Sequence, residues 1–253
     1  MTARVAQIWR HPIKSHGRES LSEVRLEEGR TLPGDRVWAV AHEAAKVDFA
    51  APEWAPCANF SRGAKAPGLM AIDARLDDAS GRVTLSHPER GELAFDPDDP
   101  ADEARFLAWV TPLCPADRAL PARLFKVEGR GLTDTDFPSI SLNNLASHEA
   151  VAARIGRALS PQRWRGNFVL EGLAPWEEFT WVSRRLGLGD AQIEVRERIT
   201  RCLATAASTR TGMRDADTLG ALEQGWGHRD FGVYAVVTRG GTVRLGDTIE
   251  LVG

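Results

Sequence analysis

Cysteine is scarce in this chain, tyrosine is nearly absent, and neither one charge sign nor a long apolar run dominates. The three cysteines, Cys57, Cys114 and Cys202, are odd in number and far apart, which argues against a disulfide framework. No pair has CxxC spacing, and neither HxxxH nor HExxH occurs among the six histidines. A zinc site of several protein ligands is therefore not expected. No apolar run reaches the length that crosses a bilayer. The opening MTARVAQIWRHPIKS lacks an apolar h-region and a small-residue cleavage site, so no secretory signal is expected. A net charge of −3 gives bulk electrostatics no reason to recruit nucleic acid or an anionic membrane. The expected setting is cytoplasmic, with no nucleic-acid and no membrane partner. The Asn59-Phe60-Ser61 sequon carries no weight there.

What is present is a globular composition: 253 residues, 43% hydrophobic and 26% charged, enough for one large or two small cores. The first hundred residues read mostly as short strands (RVAQIWRHPI, SEVRLEE, DRVWAVAH, GLMAIDARLD, GRVTLSH, GELAFD) punctuated by Gly, Pro and Asp. Such spacing favours an antiparallel barrel or sandwich, with Asp78-Ala79-Ser80-Gly81 as a hairpin turn. PADEARFLAWV reads as a helix with acidic residues in its first turn and Phe106, Trp109 and Val110 on one face. The proline-rich TPLCPADRALPAR is the candidate boundary. Beyond it, a helix is expected over residues 144–159, where Val151, Ile155 and Leu159 recur every fourth position. NFVLEG and AQIEVRERI read as strands, ADTLGALEQ as a short helix, and FGVYAVVTRGGTVRLGDTIELVG as a closing hairpin turning near Gly240-Gly241.

Several stretches could carry chemistry, each with a plainer reading beside it. Lys14 and Ser15 follow a strand, as an anion-binding pair or as a solvated turn. Arg36, after a Pro-Gly-Asp turn, could grip an anion or pair with Asp35 at the surface. FPSISLNN, with Ser139 and Ser141, leads into a helix start that could bind an anion or simply be capped. RWRGN offers Arg165 and Asn167 to a planar anionic ligand, or else packs an arginine on Trp164. Tyr234, the single tyrosine, could donate to a ligand or lie half-buried. Cys202 stands beside Arg201, whose charge favours thiolate; taken alone, it reads as a small buried hydrophobe.

Taken in order, IWRHPIKS, GDRVWAV, RWRGNFVLEGLAPWEEF, RITRCLAT, Thr211-Gly212, DFGVYAVV and GDTIEL resemble a MOSC-domain protein preceded by its N-terminal β-barrel domain. MOSC is the domain also found at the C-terminus of molybdenum cofactor sulfurases, and the pattern is similar to that of bacterial relatives of the amidoxime-reducing components. The resemblance implies a mainly β (α+β) fold with a few helices: an N-terminal β-barrel-like domain over residues 1–122 and a MOSC β-barrel domain over residues 123–253, together building one cleft. It implies a molybdenum–molybdopterin cofactor, a pyranopterin dithiolene. Cys202 would be the catalytic residue and the one protein ligand to molybdenum. Lys14, Ser15, Arg36, Ser139, Ser141, Arg165, Asn167, Arg201 and Tyr234 would contact the cofactor.

The activity so implied is reduction of N-hydroxylated small molecules, such as amidoximes or hydroxylamino bases, with the oxygen leaving as water. No ferredoxin-like segment follows the last hairpin, so electrons are expected from a separate ferredoxin-, flavodoxin- or cytochrome b5-type donor. The alternative is a sulfur-carrier or molybdenum-cofactor-binding module using a Cys202 persulfide. Two departures from the family pattern stand out. Gly166 replaces a common proline, and Ala206-Ala207-Ser208-Thr209 replaces the usual VDP, removing an acid.

Overall fold

The computed structural model describes residues 3–252. Alternation of buried and exposed side chains accounts for most of its strands, as in Val83–His87 and Glu23–Leu26. In chain order the strands are β1 (Arg4–Arg10), β2 (Glu19–Leu21), β3 (Glu23–Leu26), β4 (Trp38–His42), β5 (Asp73–Leu76), β6 (Val83–His87), β7 (Gly91–Phe95), β8 (Pro121–Lys126), β9 (Ile140–Asn144), β10 (Phe168–Glu171), β11 (Arg185–Leu188), β12 (Ala191–Thr200), β13 (Asp230–Arg239), β14 (Gly241–Arg244) and β15 (Ile249–Leu251). The helices are α1 (Pro100–Val110), α2 (Leu145–Ile155) and α3 (Thr218–Trp226).

Eight strands form one curled sheet in the order β15-β11-β12-β13-β9-β10-β1-β2. Only the β9–β10 neighbours run parallel. The sheet closes on a core that includes Val5, Ile8, Leu142, Phe168, Val195 and Val233. Three smaller sheets complete the molecule: β3 with β14, β4 with β8, and β5-β6-β7. Helix α1 covers the last of these, stacking Phe106 on Phe95 with ring centroids 4.9 Å apart. The fold is thus mainly β.

Chain order and sheet order differ at the place that matters. β1, from the N-terminus, lies between β10 and β2 inside the large sheet. Its end therefore delivers residues 11–17 beside the segment that precedes β10. Trp9 N donates to Asn167 O at 2.7 Å, and Arg36 N donates to His11 O at 2.7 Å. The two halves of the chain are stitched together at one end of the sheet.

Three expectations are corrected. The closing hairpin does not form: β14 pairs with β3 and β15 with β11. Both edges of β13 are already taken, by β12 and β9, so no ladder remains for β14. Gly241 allows the departure, because a Cβ there would lie 2.4 Å from the Asp190 carbonyl. The helix expected over residues 144–159 stops at Ile155. Asn144 caps its start by accepting from Ala146 N, and Gly156 ends it in the left-handed region at φ 79°. The strand expected for GLMAIDARLD begins only at Asp73, because Pro67–Ala71 coils into a 3-10 turn with proline at its start.

Candidate functional site

The junction of the two halves holds a cleft of about 560 Å³. Lys14, Ser15, Arg36, Ser141, Arg165, Arg201, Cys202 and Tyr234 all line it. The backbone reaches it under strain. Ser15, Arg36 and Arg165 have φ of 65°, 54° and 52°, left-handed values that cost non-glycine residues roughly 1–3 kcal/mol each. Among the described residues, three of the five non-glycine residues with positive φ thus border one cavity.

Asp35 fixes the first arginine. It is 1% exposed, accepts from His11 N at 2.7 Å, and lies 3.2 Å from His11 Nδ1. Arg36 Nη1 donates to its other oxygen. Burial disfavours the carboxylate, but Arg36 and the His11 bonds outweigh it and hold Asp35 well below the usual range. Burial, with Arg165 and Arg36 nearby, pushes His11 down to about 3, so the imidazole is neutral. Arg36 Nη2 then braces the second arginine, donating to Arg165 O at 2.9 Å. Arg165 uses one N–H on Gly17 O at 3.1 Å. Burial and neighbouring cations pull its guanidinium down to about 9, which leaves it charged at neutral pH. Lys14 donates to Leu132 O at 2.8 Å and to Asp134.

Cys202 closes the set. It follows β12 and caps a 3-10 turn, Leu203–Ala206. Its carbonyl accepts from Thr205 N at 3.2 Å and Thr205 Oγ1 at 3.1 Å, while its side chain is exposed. The backbone is held and the thiol is presented. Arg201 does the holding. It donates to Phe231 O, to Trp164 O at 2.6 Å and to Asn143 Oδ1 at 3.0 Å, beneath the Trp164 and Phe231 rings. None of these bonds goes to the thiol. The arginine on Trp164 is therefore Arg201, not a member of RWRGN. The Asn143 amide is wedged between two glycines: a Cβ on Gly166 would lie 2.2 Å from Nδ2, and one on Gly232 would lie 2.3 Å from Oδ1. That is the physical reason for glycine at the position where the family pattern has proline.

Two residues from the sequence reading do not line the cleft. Asn167 accepts from Ser141 N and Ser141 Oγ and donates to Trp9 O at 3.2 Å, knitting β1, β9 and the start of β10 together. Ser139 is buried, 2.8 Å from Thr135 Oγ1. Tyr234 lines the cleft, and burial pushes its hydroxyl well above the ordinary value, so it stays protonated.

Other lining residues went unnoticed in the sequence. Asp134 and Asp136 stand just before FPSIS. Burial opposes ionisation of Asp134, but Lys14 outweighs it and holds the carboxyl low. Glu197 comes from β12, while Trp54, Cys57 and Arg62 come from the loop after β4. Arg62 Nη1 donates to the Cys57 sulfur at 2.9 Å. Arg163 braces the Cys202 turn by donating to Thr205 O at 2.9 Å and to Asp215. Only the acids beside FPSIS were within reach of motif reasoning.

Fold and cleft define a mainly β protein whose two halves share one strongly cationic site with an exposed thiol. The chain belongs to the MOSC family: the MOSC domain matches residues 133–250 and the MOSC N-terminal beta barrel domain matches residues 2–117. It is similar to the mitochondrial amidoxime-reducing component 1 of Mus musculus, 24% identical over 98% of this chain and 82% of that protein. Among solved structures it resembles the YUAD protein from Bacillus subtilis, with TM-score 0.48, 14% identity, and 99% and 96% of the two chains covered. It also resembles YiiM from Geobacillus stearothermophilus, with TM-score 0.36, 20% identity, and 45% and 54% covered.

The family is associated with molybdenum cofactor, and the residues fit such a group. Among the described residues no cluster of three or more metal-ligating side chains exists, so a metal here would bring most of its own ligands. A dithiolene would do so, and the Cys202 sulfur would be a soft ligand suited to such a metal. Its phosphate and polar ring groups match a wall of lysine and arginines with donors still open.

Proposed function

We propose that the cleft binds a molybdenum–molybdopterin cofactor and reduces N-hydroxylated small molecules, such as amidoximes or hydroxylamino bases. The observation that carries this reading is the exposed Cys202 in the wall of a cleft also lined by Lys14, Ser15, Arg36 and Arg165. When bound, the cofactor supplies the two-electron redox chemistry. The chain's residues do the rest. Lys14, Arg36 and Arg165 pair with anionic and polar groups of the cofactor, and the left-handed backbones of Ser15, Arg36 and Arg165 are set before it arrives. Arg201 and Arg163 fix the turn that presents the Cys202 sulfur as ligand. Ser141 lines the cleft, while Ser139 and Asn167 support the wall from behind. Tyr234 holds its proton at the hydroxyl, where it can hydrogen-bond a substrate oxygen. Trp54, Phe137 and Ile199 provide apolar surface that keeps water from the bound substrate. Residues 1–122 and 123–253 act as two domains contributing to one site. A separate ferredoxin-, flavodoxin- or cytochrome b5-type protein delivers the electrons, in a cytoplasmic setting.

The test is molybdenum quantification on protein from a cofactor-competent host, then reduction of a hydroxylamino substrate with an artificial donor. Cys202→Ser is near-isosteric at an exposed position, so the thermal midpoint is expected to hold while turnover falls at least about a hundredfold. Full activity in that variant would remove Cys202 from the centre. A +32 Da adduct on Cys202 without molybdenum would favour the sulfur-carrier alternative instead; Arg201 would then help hold the persulfide's charge.

A further inference from the structure

A second cavity, of about 200 Å³, opens between the end of β4, the loop carrying residues 58–66 and the proline-rich segment 114–119. Its walls divide by chemistry. Phe60, Ala66, Pro115 and Cys114 give an apolar side, with Phe60 and Ala66 buried. Burial pushes the Cys114 thiol up to about 11, so it remains a neutral wall. Arg62, Lys65 and Arg118 give a cationic side, and no Asp or Glu lines the cavity.

These cations are poorly matched inside the protein. Arg118 reaches only Asp117, at 3.8 Å and with both side chains more than half exposed, a pair of little weight. Neither Arg62 nor Lys65 takes part in an ion pair among the described residues; Arg62 donates only to the weak acceptor Cys57 Sγ. Two lining residues also keep buried polar atoms without partners, Ser61 Oγ and His42 Nδ1. His42 Nε2 donates to Ala58 O at 2.7 Å. Three under-used cations facing an apolar wall in a small cavity select an anion with a short apolar body. Inorganic anions would leave the Phe60 side bare, and neutral molecules would leave the cations unmatched.

We propose that this second cavity is a binding site for a small organic carboxylate, its head on Arg62, Lys65 and Arg118 and its tail against Phe60, Ala66 and Pro115. Arg62 also lines the main cleft, so a carboxylate that engages it competes with the Cys57 thiol and is felt there.

The experiment titrates the full-length protein with butyrate, butyramide or inorganic phosphate and follows the Ala66 and Ala119 methyl resonances. Butyrate is expected to shift both saturably in the millimolar range, while butyramide and phosphate do not. Lys65 and Arg118 are exposed, so Lys65→Gln with Arg118→Gln keeps the fold and weakens butyrate about tenfold or more. Ala119→Leu, which narrows the cavity from its exposed rim, should abolish the shift. No saturable shift, an equal response to butyramide or phosphate, or unchanged affinity in the double variant would each overturn the proposal.

Discussion

Asp35 and Arg36 show at the scale of single residues how a surface-looking dipeptide becomes a site anchor. In the sequence Arg36 reads either as an anion contact or as half of a surface pair of small value with Asp35. In the fold Asp35 is buried and takes the His11 amide and the Arg36 guanidinium together. Asp35→Asn keeps the shape and removes the charge, leaving Arg36 without its counterion. The expected cost is about 3 kcal/mol in urea unfolding at neutral pH. A loss below about 1 kcal/mol would show that Arg36 finds another partner. Lys14, Ser15, Arg36, Arg165 and Cys202 were legible because they sit in short ordered motifs. Arg62 and Glu197 were not, because nothing local separates them from any solvated charge. Asn167 was legible as a special residue but not as to its work. Its amide joins three strands rather than lining the cleft, which only the pairing of those strands reveals.

Two glycines, at the scale of elements, separate conformational freedom from space. Gly156 ends α2 at φ 79°, and a Cβ there would meet nothing within 4 Å. Gly156→Ala should therefore cost only the left-handed strain, about 1 kcal/mol. Gly166 has the opposite problem. Its Cβ would lie 2.2 Å from the Asn143 amide, so Gly166→Ala must displace Asn143 and, through it, Arg201. We expect about 2–3 kcal/mol in urea unfolding and a shifted Trp164 fluorescence, since Arg201 Nη1 donates to Trp164 O. Equal costs for the two substitutions would contradict this division. Strand existence was well read from alternation, whereas strand partners were not. GTVR looked like the return arm of a hairpin, but β13 had both edges occupied and the segment crossed to β3.

The whole molecule should be acid-sensitive before its carboxylates titrate. Burial pushes His16 down to about 4 and His11 to about 3, against 6.5 for a free imidazole. Below about pH 6.5 the unfolded chain therefore takes up protons that the folded chain refuses. Stability falls with pH through that window, by up to about 1.4 kcal/mol per pH unit for each histidine. Asp35, whose pKa is depressed on folding, adds a further loss only at lower pH. Urea midpoints measured from pH 7 to pH 5 should decline, and His16→Gln should flatten the slope by about one proton. The halves are also interdependent. Ala3, Val5, Ile8, Val24, Leu26 and Leu32 belong to the same core as Val195 and Val233. Residues 123–253 expressed alone lack β1 and expose an edge of β10, so they should be insoluble or unfolded by circular dichroism. A cooperative thermal transition from that fragment would contradict the shared core.

By itself the sequence determined the mainly β class, most strands, the family and the motif residues of the cleft, because alternation, capping and short motifs are local properties of the chain. The tertiary structure decided which of those residues meet. It placed β1 inside the C-terminal sheet, turned Arg201 inward to hold the Cys202 turn, brought Cys57 and Arg62 into the cleft wall, and opened the second cavity. These depend on contacts between residues about thirty to more than a hundred and fifty positions apart, and no local pattern encodes them.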